Sequence, residues 1–233
     1  MLVTGPPNPL VSPFSFPMKL LPESKFVLIG DSITDAGRDP SGEATPWGAP
    51  GHGRGYVGLM EAWIGATRPQ DRIRLINRGT GGNTVRDLKN RWQTDVLDLK
   101  PDWVSVMIGV NDIWRQFDTP LRVEGHVYIK EYTKTLNELV SKTRPKVKGL
   151  ILATPHIIEP NRADPMRKMI DAYGDVVRAT AKKHNCIFVD VQAAFDEVMV
   201  HTHPMTLAWD RIHPNPTGHM IIARAFLKAL GAL

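Results

Sequence analysis

A chain of 233 residues, 42% hydrophobic and 23% charged, is of a size that one globular domain fills, with enough apolar material for a sizeable core. Its formal charge of +5 arises from 29 Lys and Arg scattered among 24 Asp and Glu without a basic run, which indicates a solvated surface and argues against a nucleic-acid partner. Cys186 is the only cysteine, so an intrachain disulfide is excluded and a reducing compartment fits; no apolar run approaches the ~18 residues needed to cross a bilayer, so no membrane partner is expected.

In chain order, the first segment, MLVTGPPNPLVSPFSFP, carries Pro6, Pro7, Pro9, Pro13 and Pro17, which remove backbone donors and oppose regular structure. Residues 1–17 read as a loose tail ahead of one domain over 18–233, with Met18 as the functional start. The segment has neither the basic start nor the unbroken apolar stretch of a secretory signal, so a cytoplasmic location is expected. A strand is expected at 26–30 (FVLIG), and then DPSGEATPWGAPGHGRG at 39–55 is too rich in Gly and Pro for helix or strand and reads as a long loop above the sheet. A helix near 56–66, a strand at 72–77, a helix near 84–99 and a strand at 103–109 follow. The remainder reads as a helix near 127–143, a strand at 149–154, a helix near 166–184, a strand at 186–190 and a helix near 216–230. Strands apolar at consecutive positions, alternating with helices, predict a three-layer α/β/α sandwich around a five-stranded parallel sheet of flavodoxin-like strand order.

In such a sheet ligands bind beyond the carboxyl ends of the strands, and four polar segments stand there: GDSITD, NRGTGGNT, GVND and WDRIHP. Taken alone, each has an ordinary reading as a helix cap or turn. Together they make a reaction. Ser32 would project its hydroxyl into the crevice while its own amide, near a helix N-terminus, faces developing negative charge. A serine hydroxyl needs a base, and Asp210 and His213, three residues apart, can meet across one turn, with Pro214 keeping His213 out of the next helix. Gly82 offers a backbone N–H unobstructed by a side chain, and Asn111 a side-chain amide, as further donors to an oxyanion.

The ordered blocks GDS, the glycine in NRGTGGNT, GVND and DRIHP resemble those of the SGNH (GDSL-like) hydrolases. The resemblance implies Ser32 as nucleophile, Asp210 and His213 as its triad partners, and the Ser32 amide, Gly82 and Asn111 as the oxyanion hole. FVLIGDSITDAGR, KPDWVSVMIGVNDIWRQFD and LAWDRIHPNPTGHMIIARAF are similar, more narrowly, to bacterial acetylxylan esterases. That likeness implies an intracellular, homo-oligomeric deacetylase of acetylated xylo-oligosaccharides that uses neither metal nor organic cofactor. Asp31, Trp47, Trp114 and Trp209 are the expected substrate contacts, the tryptophans by packing on a pyranose or walling the acyl pocket.

Within the same chemistry, a short-chain carboxylesterase or a deacetylase of another small molecule uses the same residues, because a triad specifies acyl transfer and not the leaving group. A metal-dependent phosphoesterase, with His213 and His219 as nitrogen ligands, is a more distant alternative that lacks an early Asp-x-His pair. A non-catalytic carbohydrate-binding module would explain the six Trp but not the polar residues at the strand ends.

Overall fold

The computed structural model of the chain describes residues 18–43 and 50–233. The expectations for the segment 1–17 and for Trp47 lie outside them. Five of the apolar runs pair as parallel strands, β1 (Lys25–Gly30), β2 (Arg74–Gly79), β3 (Trp103–Met107), β4 (Gly149–Ala153) and β5 (Ile187–Val189). Their order, β2-β1-β3-β4-β5, is the flavodoxin-like one. β3 and β4 are buried at every position because helices cover both faces of the sheet.

Between and after the strands lie α1 (Ser32–Asp35), α2 (Tyr56–Thr67), α3 (Val85–Trp92), α4 (Val110–Asp118), α5 (Ile129–Thr143), α6 (Pro165–Lys183), α7 (Val191–Met199) and α8 (Pro216–Leu230). α2 and α7 pack on α8, while α3 and α6 pack on α5, so the helices form the two outer layers. None of the helices among the described residues is long and apolar enough to cross a membrane.

Several boundaries differ from the sequence expectation, each for a local reason. The strand expected at 72–77 runs from Arg74 to Gly79, because Arg72, at φ 46°, ends a turn over Pro69–Asp71 before the strand begins. The helix expected over 84–99 is α3, capped by a reciprocal Thr84–Asp87 box, continued by a wider π turn over Gln93–Leu97. The loop 39–55 holds one turn of 3-10 helix, Pro40–Glu43, where none was expected. Its base is closed by hydrogen bonds from Asp39 N to Pro50 O and from Arg54 N to Ala36 O. α4 and α7 were not anticipated at all. Asn111 and Asp112, read as a turn or cap, lie inside the first turn of α4, whose entry is made by Gly109 at φ 132°.

The strand ends are level. Gly30 stands opposite Gly79 on one side and Met107 on the other, Met107 opposite Ala153, and Ala153 opposite Val189, so the residues after each strand share one edge. α1 rests directly on that edge. A β-carbon at Gly79 would lie 2.1 Å from Asp35 N, and one at Gly30 would lie 2.5 Å from the Met107 carbonyl oxygen. Only glycine allows backbones to approach so closely.

Candidate active site

Ser32 is the first residue of α1, immediately beyond β1. Asp31 caps this short helix, its Oδ1 accepting from Ile33 N at 3.0 Å, and Ala36 ends it in the left-handed conformation at φ 44°. The Ser32 side chain is half-buried. Its hydroxyl oxygen lies 2.8 Å from His213 Nε2, and the other ring nitrogen, Nδ1, lies 2.5 Å from Asp210 Oδ2. The carboxylate accepts from Nδ1–H, which leaves Nε2 as the acceptor of the Ser32 proton. The structure therefore brings Ser32, His213 and Asp210 together in one line of contacts.

The turn that carries the last two is organised by Asp210 itself. Its Oδ1 accepts from Ile212 N at 3.0 Å and His213 N at 2.8 Å, while Oδ2 meets the ring. Burial alone would raise the Asp210 carboxyl, but these hydrogen bonds and the charge on His213 hold it below the usual carboxylate range. The proline after His213 does what its ring chemistry requires: α8 begins only at Pro216, capped by Asn215, and His213 stays outside it.

Asn111 is buried to 1% exposure. Its Nδ2 donates to Asn83 O at 3.0 Å and its Oδ1 accepts from Arg115 Nη2 at 3.3 Å, so the amide is fixed in orientation with one N–H left to offer. Gly82, at φ 77°, is exposed, and a β-carbon there would meet nothing within 4 Å, so its face of the loop is open. The neighbouring Gly81 N donates to Asp35 Oδ2 at 3.2 Å, tying this loop to α1. Asp112, read from the sequence only as a turn or cap residue, completes the tie: fully buried, it accepts from Val85 N at 3.0 Å and so fastens α4 to the start of α3.

The expected substrate contacts divide. Trp114 stands beside the imidazole, its ring centroid 5.8 Å from that of His213 at 66°, with Arg115 stacked 4.6 Å over the indole. It lines a groove of about 340 Å³ with Phe117, Asp164, Asp210, Arg211 and Ile212. Trp209 is 87% exposed, an indole in solvent next to Asp210. Asp31 requires a correction: at 2% exposure, with its carboxyl capping α1, it supports the start of the helix that carries Ser32 and has no face open to a ligand. A larger groove of about 680 Å³, between α7 and α8, contains none of the expected site residues.

The alternative metal centre would need His213 and His219 as ligands. His213 has both ring nitrogens engaged, and His219 Nδ1 accepts from Tyr56 N at 3.3 Å. Among the described residues, no group of three or more His, Cys, Asp or Glu is placed to hold an ion.

The model of the GDSL-like Lipase/Acylhydrolase family matches residues 28–221. An acetylxylan esterase from Geobacillus stearothermophilus is 54% identical over 215 residues, covering 92% of this chain and 97% of that protein. The crystal structure of LAE5, an alpha/beta hydrolase enzyme from the metagenome of Lake Arreo, superposes with a TM-score of 0.88 at 56% identity, covering 93% of this chain and 99% of that one. The crystal structure of Axe2, an acetylxylan esterase from Geobacillus stearothermophilus, does so with a TM-score of 0.88 at 51% identity over 92% of this chain and 97% of that one. Structures of Axe2 described as catalytic mutants replace a serine, an aspartate and a histidine by alanine.

Proposed function

The chain belongs to the GDSL-like lipase/acylhydrolase family and is a serine ester hydrolase, and from that premise we propose that it removes acetyl groups from xylo-oligosaccharides with Ser32, His213 and Asp210 as its catalytic triad. The observation that carries the reading is the 2.8 Å approach of Ser32 Oγ to His213 Nε2, between groups 181 residues apart in sequence. Such a contact serves no capping or core-packing purpose, whereas it is the one that a serine nucleophile needs.

In the proposed cycle Ser32 Oγ attacks the acetyl carbonyl carbon as its proton passes to His213 Nε2. Asp210 holds the imidazole in the required tautomer and stabilises its charged form. Charge developing on the carbonyl oxygen is met by the amides of Ser32 and Gly82 and by Asn111 Nδ2. The tetrahedral intermediate collapses as His213 protonates the departing sugar oxygen, which leaves an acetyl group on Ser32. Water, deprotonated by His213, then attacks that ester and releases acetate. The exposed indole of Trp209 offers a pyranose a stacking surface, and Trp114 walls the site beside the imidazole.

The substrate class is supported by the acetylxylan esterase named among the relatives, matched over nearly its whole length. Three finer parts of the reading rest on the family likeness, the lone cysteine and the proline-rich start: a homo-oligomer, a cytoplasmic enzyme, and a single catalytic domain over 18–233 to which 1–17 adds nothing. Activity on acetylated xylo-oligosaccharides, acetylated glucose and nitrophenyl esters of increasing chain length tests the substrate. The expected result is a preference for acetyl over longer acyl groups, with Ser32→Ala slower by about 10⁴-fold or more. Preference for long acyl chains would overturn the deacetylase reading and leave the triad standing.

A further inference from the structure

The hydrogen bonds within the Asp210–His213 turn fix the imidazole relative to the turn, not the turn relative to the rest of the molecule. Three contacts made by Arg211 reach from the turn to the segment that leads into α6. Its carbonyl oxygen accepts from Ile158 N at 2.8 Å. Its guanidinium Nη2 lies 2.9 Å from Glu159 Oε2 and 2.9 Å from Asp164 Oδ2.

Both carboxylates are themselves anchored. Asp164 caps α6, its Oδ1 accepting from Met166 N and Arg167 N at 2.9 Å each. Glu159 Oε1 accepts from Asn161 N, and the Glu159 carbonyl oxygen accepts from Nη1 of the buried Arg167, which also pairs with Asp171 and Asp196. Burial raises the Asp164 carboxyl, but the hydrogen bonds from Arg167 N and Met166 N and the charge of the Arg211 guanidinium hold it below the usual range, so it remains an anion facing the guanidinium. The contact is ionic in character, since Nε and Nη2 are buried without a hydrogen bond of good geometry.

Arg211 also adopts φ 68°, a conformation that is unfavourable for any residue with a β-carbon and free of cost for glycine. An arginine at such a position needs contacts that offset the cost, and the Ile158 hydrogen bond and the two ion pairs stand there.

We propose that Arg211 is a positioning residue whose ion pairs with Glu159 and Asp164 clamp the Asp210–His213 turn against the N-terminal end of α6, keeping His213 within reach of Ser32. The inference rests on the triad reading given above. It assigns no substrate contact to Arg211.

Arg211→Gly separates the clamp from the backbone, because it relieves the unfavourable φ while removing the guanidinium. Turnover of nitrophenyl acetate and the rate of inactivation by a serine-directed fluorophosphonate are the readouts, the second being independent of sugar binding. With Arg211→Gly, kcat and the inactivation rate both fall by about tenfold or more while KM is unchanged, as expected for a misplaced base. Arg211→Lys, able to reach one carboxylate, recovers part of both rates. Glu159→Gln, which leaves the turn's own backbone untouched, shows a smaller loss of the same kind and carries the test if Arg211→Gly does not fold. Wild-type rates in Arg211→Gly, or a loss confined to KM, would overturn the proposal. A wild-type enzyme that the fluorophosphonate does not inactivate would remove the Ser32 reading beneath it, which is a separate and recognisable result.

Discussion

Asn111 is held by both ends of its amide, through Nδ2 to the Asn83 carbonyl and through Oδ1 to Arg115, and a donor fixed in this way meets new charge without first reorganising. Alanine at this position is expected to lower kcat by about 10²-fold with little change in KM, because the missing interaction is made in the transition state and not with bound substrate. Steady-state kinetics on nitrophenyl acetate, with a melting curve to show that the variant folds, check this. An unchanged kcat would remove Asn111 from the oxyanion hole. His213 illustrates a different economy of means, since Asp210, three residues earlier, supplies both the turn and the ring's partner. That is why the pairing of these two residues could be expected from the spacing in WDRIHP, although the segment taken alone also reads as an ordinary turn. The contact between Ser32 and His213 could not be read directly, because no local rule joins residues so far apart; the common strand edge had to be inferred first.

The elements that the sequence marks at both ends are the ones whose limits it states well. α8 has Asn215 and Pro216 at its start and Gly231, at φ 71°, at its end, and it occupies the expected span. α6 begins with Asp164 and Pro165 and lies within a residue of expectation. α7 is illegible for a physical reason: it follows β5 with Asp190 alone between them, so strand and helix form one apolar stretch in which the change of period is hidden. α4 is hidden by its own chemistry, since Asn111 and Asp112 are poor helix residues that tertiary contacts to Asn83 and Val85 hold in the first turn. Asp31 was legible as important but not in its role, because a carboxylate beside the proposed nucleophile looks like a ligand contact until its burial is known. Arg211, Glu159 and Asp164 left no pattern at all, being brought together by the return of the chain to the edge of the sheet after α7.

At the scale of the molecule, that edge concentrates buried ionisable groups whose titration couples to folding. Burial pushes Asp31 up to about 7 and Asp112 up to about 8, while burial together with the charge of His213 pushes His219 down to about 4 and His156 down to about 3. A raised carboxyl contributes stability that is present at low pH and lost as pH rises toward its folded value; a depressed imidazole contributes stability that is lost as pH falls below about 6.5. The two effects oppose each other between about pH 4 and 6.5, and above that only the carboxyl effect remains. Stability is therefore expected to be nearly level between about pH 4 and 6.5 and to fall toward pH 8, by up to about 1.4 kcal/mol per pH unit for each carboxyl still titrating. Melting curves across this range check it, with Asp112→Asn removing most of the fall; a stability that rises from pH 6.5 to 8 would contradict it. The same fold closes residue 32 onto residue 213, and on that closure the proposed chemistry depends. Its most direct measurement is the peptide-resolved mass of the adduct that a fluorophosphonate leaves on the wild-type protein and on His213→Ala. The expected result is one adduct, on the peptide containing Ser32, formed far more slowly when the imidazole is gone; an adduct on a different serine, or labelling of Ser32 that is indifferent to His213, would contradict the proposed catalyst.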